Sequence, residues 1–399
     1  LAFDGDEIGK WISGEKTPPF SSQLADYSDG SGNSGFGSKP YFEKNSLKTF
    51  LAEHRPLSPS YHLQFSEALS NFALLCARPI VEVFDGRLIY AGGDDVVALL
   101  PADTALDCAQ VLRMAFQGNP AIRDALQARA QVLRDRHRGA QNRDSQASPP
   151  PPDQQLAAEG RLLHSVHPGF LQRLDQVDQQ QRPISFLVPG PAADCSVGLA
   201  IAHFKAPLQD VVREAQAAEK RAKRAAATGG LNRKAVAVTL MKRSGEIIEW
   251  GAKWEGGLDL YRALARALEA DLLSSKFPHR FAELLEAYVT DCTPLVAQSK
   301  SLQPVTGFPV DDIIRREFDH TLSRQRGDRF PKVAAEADET VGNLRQALEI
   351  YLKSLTEAGV AEDNIEKRLR SLIGLCQTVA FAHRTSADSD SIPQPKGNA

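Results

Sequence analysis

The sequence contains few cysteines, and no two of them lie close together. The five cysteines among its 399 residues are Cys76, Cys108, Cys195, Cys292 and Cys376. A zinc ribbon needs pairs of cysteines a few residues apart, and a small secreted domain needs a dense set of them. The spacing therefore excludes an obvious zinc ribbon, gives no disulfide framework and predicts a protein of the reducing cytoplasm.

Two further absences concern charge and hydrophobicity. The formal net charge of −3 gives no general affinity for nucleic acid, although it says nothing about local basic patches. No apolar run is long enough to span a bilayer and no signal peptide is recognisable, so we expect no contact with a membrane. The sequence also lacks an initial Met and begins within a strand-like run, so we expect a piece of a longer protein. Its 399 residues can form two domains.

The most informative stretch present is a glycine-rich turn with two carboxylates. In residues 88–100, two apolar runs rich in β-branched residues flank Gly92, Gly93, Asp94 and Asp95. Because glycine tolerates positive φ, this pattern predicts a hairpin with both aspartates at its tip. Neighbouring carboxylates repel each other, and a cation between them would offset that cost. The alternative is a solvated acidic turn, which is common for so short a motif.

A second acidic turn near the start of the chain favours the cation. Residues 1–11 predict the end of a strand with Asp4 at its tip, followed by a turn that contains glycine. If this strand lies beside the hairpin in one sheet, Asp4, Asp94 and Asp95 meet at one edge. Three carboxylates suit Mg²⁺ or Mn²⁺, which proteins usually bind together with substrate phosphates.

The turn after Asp4 also offers groups that suit a phosphate. The backbone amides around Gly5 and Gly9 can approach a phosphate closely, and Lys10 adds a positive charge nearby. Asp6 is either an additional metal ligand or a residue that only orients the loop. Together the two acidic turns suggest nucleotide chemistry.

Two segments between the motifs predict insertions. Residues 13–56 are rich in Gly, Ser and Pro and predict a flexible surface loop. Residues 121–182 are rich in Gln, Arg, Asp and Pro, with four consecutive prolines from 149 to 152. We expect a charged helical tip there, then a disordered insertion over about 135–182, with at most local helix near 162–174.

The remaining pattern predicts helices and strands. Ser58 or Ser60 caps a helix that starts near His62, is broken at Pro79 and has this expected apolar face: Leu63, Ala68, Leu69, Phe72 and Leu75. A buried strand over 195–204 precedes a helix that ends in several cations, which either pair with the helix dipole or reach a triphosphate. A hairpin turns at residues 244–245.

After residue 254 the strand signals stop. Amphipathic helices are expected at 258–273, 280–289, 310–322, 339–355 and 364–381. We therefore predict an α+β chain, with a palm domain over 1–250 and an all-α helical bundle over 251–399 whose tail frays from about 385.

The order strand–helix–hairpin–helix–strand–helix–strand is that of the ferredoxin-like βαββαβ palm of nucleotidyl cyclases and polymerases. In residues 4–11, 56–62, 88–96 and 197–208, the chain resembles the large polymerase/cyclase-like subunit of type III CRISPR effector complexes of the Cmr type (type III-B). As a set these segments are specific, and they span most of the first 250 residues apart from the two insertions. The C-terminal helices match that family only in position and character.

The same segments are similar to those of GGDEF diguanylate cyclases. An Ala-Lys pair of that family matches Ala222 and Lys223, which implies that Lys223 contacts a phosphate, with Lys220 as the second candidate. Asp95 and Val96 replace the Glu and Phe of the GGDEF motif, which argues against an enzyme that makes cyclic di-GMP.

The resemblance implies that ATP is converted to cyclic oligoadenylates when the assembled complex binds target RNA. Two Mg²⁺ or Mn²⁺ ions would be held by the catalytic residues Asp4, Asp94 and Asp95. The nucleotide contacts implied or suggested are Gly5, Asp6, Gly9, Lys10, Ser58, Ser60, Gly92, Gly93, Lys220 and Lys223. The partners implied are other subunits of the complex, with the small subunit on the C-terminal helices, and the crRNA and target RNA.

Two alternatives stay open. In the first, the palm is catalytically silent, and the chain is a scaffold that binds small subunits and the guide–target duplex. In the other, the chain is a GGDEF-like enzyme that uses GTP. The family's HD nuclease domain, zinc-binding region and first palm have no counterpart in the sequence, so we expect that activity needs a first palm from elsewhere.

Overall fold

Two β-sheets organise the part of the chain before residue 254. The computed structural model describes residues 1–23, 48–54, 56–143, 152–290, 310–361 and 364–388. Within these residues the strands are β1 (Ala2–Gly5), β2 (Arg87–Ala91), β3 (Val96–Leu99), β4 (His164–His167), β5 (Phe170–Val177), β6 (Pro183–Leu187), β7 (Cys195–Ala202), β8 (Ala235–Met241) and β9 (Ile247–Lys253). The larger sheet has the strand order β2-β3-β1-β7-β8-β9, and the smaller sheet has the order β4-β5-β6.

Helices connect these strands and form the rest of the described chain. They are α1 (Ile8–Ile12), α2 (Lys48–Ala52), α3 (Pro59–Asn71), α4 (Arg78–Val83), α5 (Ala105–Gln117), α6 (Ile122–Arg143), α7 (Pro152–Ala158), α8 (Leu208–Lys223), α9 (Asp259–Glu269), α10 (Phe277–Thr290), α11 (Val310–Arg324), α12 (Ala334–Glu357) and α13 (Ile365–Asp388). A π-helical segment, Phe72–Ala77, joins α3 to α4.

Four strands of the larger sheet form the predicted palm. β1 pairs antiparallel with both β3 and β7, and β2 pairs antiparallel with β3. With α3 and α4 between β1 and β2, and α5 between β3 and β7, this is the ferredoxin-like βαββαβ arrangement. Helix α8 then crosses from β7 to the parallel strand β8, and β9 completes the sheet. The predicted α+β fold, a palm with helices after it, is confirmed.

The two faces of β1 point to different layers of helices. The ring of Phe3 stacks on Phe72, with centroids 5.4 Å apart. Since successive side chains of a strand point to opposite faces, Asp4 points to the other layer, which is formed by α8. Gly198 of β7 shares that face, and a Cβ there would lie 2.0 Å from the carbonyl oxygen of Ala215 in α8. The sheet therefore directs Asp4 toward α8.

The predicted helix break at Pro79 is wrong. The chain stays helical from Pro59 to Val83, and the π-helical segment ends two residues before the proline. Proline cannot donate to the carbonyl four residues earlier, which is that of Leu75. Arg173 replaces the missing donor, with its Nη1 at 3.4 Å from the Leu75 oxygen. A contact from a distant strand thus lets the helix pass through the proline.

The predicted disordered insertion over 135–182 is also wrong where the structure describes it. Residues 164–187 form the smaller sheet, and the local helix expected near 162–174 is replaced by β4 and β5. A few apolar side chains reach the core from polar surroundings; they are Leu162, Leu163, Leu171 and Phe186. The buried Arg173 is paired with Asp175 at 2.6 Å. These contacts stabilise the segment, although its average composition is polar.

The ends of the predicted loop over 13–56 are structured. Phe20 donates its backbone N–H to Glu53 at 2.8 Å, and its ring lies 4.4 Å from that of Phe50 in α2. Leu51 is buried. The expected flexibility of the central part, residues 24–47, lies outside the described residues.

The five C-terminal helices α9–α13 form where the amphipathic patterns predict them. Trp250 of β9 donates its Nε1–H to Thr378 of α13 at 2.9 Å, and most buried apolar residues of the larger sheet and of these helices belong to one core cluster. The predicted border between residues 250 and 251 lies inside β9, and α13 continues to Asp388, beyond the expected start of fraying. Among the described helices, none combines the length and the hydrophobicity that crossing a bilayer requires.

Candidate metal and nucleotide site

The glycine-rich turn joins β2 to β3 at one edge of the palm. The hairpin closes at the pair Ala91–Val96, and Gly92 donates its N–H to the Asp95 carbonyl at 2.9 Å. Gly93 adopts the positive φ expected of a glycine, +88°. A Cβ at Gly92 would lie 1.9 Å from the hydroxyl of Tyr90, so a larger residue there would require this exposed side chain to move.

The predicted convergence of three carboxylates is confirmed. Because β1 lies beside β3, Gly5 can donate its N–H to the backbone oxygen of Asp94 at 3.2 Å. This contact holds the tip of β1 against the turn. Asp4, Asp94 and Asp95 then each offer an oxygen within 4.8 Å of the others. Their roles in catalysis stay a prediction.

The crowding of these carboxylates has an electrostatic cost. Burial, followed by the negative charges of Asp4 and Asp94, raises the pKa of Asp95 to about 6. Burial also raises the pKa of Asp94, and the charge of Asp4 adds to the effect. A bound cation removes this cost, and oxygen ligands of this type are those that Mg²⁺ and Mn²⁺ prefer. The donor set therefore fits a hard divalent cation.

Lys223 lies beside the carboxylates, at the end of α8. Its ammonium forms an ion pair with Asp4, a second one with Glu219 at 3.1 Å, and a contact of 3.4 Å with the Gly5 carbonyl oxygen. Burial opposes its charge, but Asp4 and then Glu219 outweigh this effect and raise the pKa of Lys223. Lys220, the second candidate for a phosphate contact, is exposed on the same helix.

Two residues that position Lys223 were missed from the sequence. Gly198 has no side chain, so α8 can lie directly on β7; a Cβ there would lie 2.2 Å from the backbone nitrogen of Glu219. A glycine inside an apolar strand is the signal that could have indicated this close approach. The buried Glu219 precedes Lys223 by four residues, the spacing of neighbours on a helix surface.

Asp6 is buried beneath the turn that follows β1. Its carboxylate is 3% exposed and accepts hydrogen bonds from the Ser196 hydroxyl at 2.8 Å and the Lys234 backbone N–H at 2.9 Å. These contacts favour the alternative in which Asp6 orients the loop, and its contact with a metal or nucleotide stays a prediction. Arg233 and Lys234 both have positive φ, so this carboxylate also secures an unfavourable backbone conformation.

The remaining groups of the first turn differ in their availability. The Gly5 amide already donates to the Asp94 backbone oxygen, and its contact with a phosphate stays a prediction. Gly9 lies in α1 with open space beside it. Lys10 is half-exposed and pairs with Glu7 at 2.7 Å. Hydrogen bonds from Lys10 and then Lys16 lower the pKa of Glu7 to about 2. Contacts of Gly9 and Lys10 with a nucleotide stay predictions.

The start of α3 lies close to the same turn. Ser58 caps the helix by accepting the Tyr61 N–H at 3.2 Å, and the Tyr61 hydroxyl donates to the Trp11 carbonyl at 3.0 Å. Ser60 and His62 are exposed in the first turn. Contacts of Ser58 and Ser60 with a nucleotide stay predictions. The expected apolar face is wrong at Leu63, which is 72% exposed.

Comparisons with known proteins find similarity in the part of the chain that contains these turns. Residues 1–130 match the family model of Cas10/Cmr2, second palm domain. The CRISPR system Cmr subunit Cmr2 of Pyrococcus furiosus is 36% identical over 116 residues, which are 29% of this chain and 11% of that protein. The corresponding Cmr2 subunit of Saccharolobus solfataricus is 43% identical over 79 residues, which are 19% of this chain and 8% of that protein.

A chain of the type III-B Cmr-beta complex, determined by cryo-EM in the apo state, is similar with a TM-score of 0.46 and 14% identity. The similarity covers 90% of this chain and 38% of that one. The matched segments span about a tenth of the length of the two curated relatives. The matched residues 1–130 include both acidic turns and the start of α3. Through them, the first third of this chain is similar to the second palm domain of Cas10/Cmr2 proteins.

Proposed function

We propose that this chain carries the nucleotidyltransferase palm of a type III CRISPR effector complex. In this proposal it converts ATP to cyclic oligoadenylates when the complex binds target RNA. The observation that carries the proposal is the cluster of Asp4, Asp94 and Asp95 at the tip of the palm hairpin. Three crowded carboxylates with no more than one resident ammonium are typical of a site that binds cations.

The carboxylates would hold two Mg²⁺ or Mn²⁺ ions. Ions bound there supply positive charge for the triphosphate and lower the pKa of an attacking ribose hydroxyl. The protein's own contribution is to position the reactants and to stabilise the charge that develops, so no nucleophilic side chain is needed. Lys223 is the cation best placed to meet a phosphate, and Lys10 and Lys220 are exposed cations that a longer nucleotide could reach.

The partners in this proposal are the other subunits of the effector complex. The small subunit would bind the C-terminal helices α9–α13, and the crRNA and target RNA would lie within the assembled particle in the cytoplasm. Joining two ATP molecules requires a second nucleotide seat opposite the first. The curated relatives are about ten times longer than the matched segments, so a first palm from elsewhere in such a protein would supply that seat.

The assembled complex tests the proposal directly. It is incubated with labelled ATP or labelled GTP, Mn²⁺ and target RNA, and the products are separated by chromatography. We expect cyclic oligoadenylates from ATP and none when Asp94→Asn and Asp95→Asn are combined. Asp210→Asn, at the exposed far end of α8, is the matched control and should leave synthesis unchanged.

The same assay separates the two alternatives. A complex that assembles and binds target RNA but converts neither nucleotide would show a silent scaffold. Products from GTP alone would show a GGDEF-like enzyme. The purified chain on its own should bind ATP weakly and make little product, and any product should rise steeply with protein concentration because two copies must meet. Efficient synthesis by a monomer would contradict a site shared between two palms.

A further inference from the structure

The ammonium of Lys223 lies between two carboxylates that differ in their surroundings. Asp4 belongs to the cluster of three aspartates and is 32% exposed, whereas Glu219 lies outside that cluster and is 9% exposed. Lys223 itself is only 21% exposed. An ammonium this far from water needs a partner at all times, because burying an unpaired charge is costly.

We propose that the Lys223 ammonium pairs with the Asp4 carboxylate when no metal is bound there. When a metal ion binds Asp4 instead, the ion pair with Glu219 keeps the ammonium beside the site. This inference rests on the proposed metal site. Glu219 is then a positioning residue: it acts through Lys223 and touches neither metal nor nucleotide. The Glu219–Lys223 pair keeps the ammonium beside the cluster, where it can meet an anionic phosphate.

Two observations and one physical argument support this exchange. First, both ion pairs of Lys223 exist together, so moving from one partner to the other needs no rearrangement of the helix. Second, the contact between α8 and β7 at Gly198 fixes the height of Glu219 and Lys223 above the sheet. Third, the ammonium and a divalent ion compete for the same carboxylate, and like charges at that separation repel each other. The ammonium therefore lowers the affinity for the metal.

The two residues should affect metal binding in opposite directions. Lys223→Met removes the competitor, so Mn²⁺ should bind about tenfold more tightly. Glu219→Gln leaves Asp4 as the only charged partner of the ammonium, so Mn²⁺ should bind roughly three- to tenfold more weakly. In the Lys223→Met background, Glu219→Gln should change the affinity by less than about twofold, since it no longer has an ammonium to hold.

The experiment measures Mn²⁺ binding to the full chain without nucleotide, from the electron paramagnetic resonance signal of free Mn²⁺. Arg213→Met is the matched control, because it removes an exposed cation from the same helix; at physiological salt its effect should stay below about twofold. Thermal unfolding verifies that each variant is folded. If Lys223→Met does not fold, Lys223→Gln gives the same comparison with a neutral polar side chain.

Two results would overturn the exchange. One is an affinity in Lys223→Met that is no higher than in Arg213→Met. The other is an equal effect of Glu219→Gln in both backgrounds, which would show that the glutamate acts only through its charge. A wild-type chain that binds no Mn²⁺ would instead refute the metal site, and with it the proposed function. Wild-type binding that is lost in Asp94→Asn with Asp95→Asn keeps the metal site and confines any failure to the exchange.

Discussion

Arg368 and Lys223 each pair with an aspartate, but the surroundings of the two pairs differ. Arg368 in α13 is fully buried and donates to both oxygens of Asp311, at 2.9 and 2.8 Å. Its remaining donors reach the Thr356 hydroxyl and the carbonyls of Leu352 and Val360, each at 3.1 Å. One positive charge meets one negative charge, and the donors of the guanidinium are used. This pair joins α11 to α13 and has no capacity for a ligand.

The cluster around Lys223 has the opposite balance. In the described part of the chain, a single ammonium lies among Asp4, Asp94, Asp95 and Glu219, and burial together with mutual repulsion raises the pKa of Asp95 to about 6. The excess negative charge reduces the stability of the fold and favours the binding of a further cation. The difference between the two regions is therefore one of charge balance: a balanced pair holds elements together, and an unbalanced cluster is typical of a binding site.

The largest effect is expected when the imbalance at the hairpin is removed. Asp94→Asn combined with Asp95→Asn should lower nucleotide polymerisation by the assembled complex about a thousandfold or more, because the metal ligands are lost. The free energy of unfolding should stay the same or rise, because two repelling charges are removed from a turn near the surface. Product from labelled ATP and urea unfolding measure the two effects. A variant that unfolds earlier or leaves the complex would contradict this prediction.

The next largest effect is expected when the balanced pair is broken. Arg368→Met leaves the Asp311 carboxylate without a partner and should lower the free energy of unfolding by about 3 kcal/mol. Urea unfolding measures this change. Combining it with Asp311→Leu should cost less than the single change, since no unpaired charge remains. Arg315→Met is the control: that arginine pairs with Glu349 at the surface, so the cost should be below about 1 kcal/mol. Equal costs for the two single variants would contradict the contrast.

The palm and its acidic edge could be predicted from the sequence because their signals are local. Apolar runs mark β3, β7 and β8, glycines mark the hairpin turn, and Asp4 follows a strand that pairs beside that hairpin. The C-terminal helices were predicted for the same reason, since each amphipathic pattern lies within one element. In these regions, local pattern and tertiary structure agree.

The rest could not be predicted because it depends on contacts between distant residues. Asp6 accepts a hydrogen bond from Ser196, which lies 190 residues later in the sequence. Arg173 donates to the carbonyl of Leu75, which lies 98 residues earlier. The smaller sheet has few apolar anchors among many polar residues, so its average composition suggested disorder. The role of Glu219 depends on how closely α8 lies on β7 at Gly198, which no helical pattern indicates.

A smaller effect is expected when the close approach of α8 to β7 is disturbed. Gly198→Ala places a Cβ 2.0 Å from the Ala215 oxygen, so α8 must move away from β7. We expect a loss of about 1–3 kcal/mol in the free energy of unfolding, together with weaker pairing of Lys223 with Asp4. Gly342→Ala is the matched control, because its Cβ meets nothing within 4 Å inside α12, and it should stabilise the chain by about 0.5–1 kcal/mol. A Gly198→Ala chain as stable as the wild type would disprove the tight contact.

The smallest effect concerns pH, and it distinguishes the unbalanced cluster from the balanced pair without disrupting either. The folded chain raises the pKa of Asp95 from 3.8 to about 6, so between these values it binds more protons than the unfolded chain. Stability that is present below about pH 4 is therefore lost as the pH rises through about 6. With EDTA present, the Tm of the wild type relative to Asp95→Asn should fall over this window by roughly 1–3 °C, since solvent screens a half-exposed carboxylate. Saturating Mn²⁺ should reverse the trend above pH 6, because the deprotonated carboxylates then bind the ion. A Tm difference that is constant with pH, or that grows in favour of the wild type in EDTA, would show that the three aspartates do not repel one another as their geometry requires.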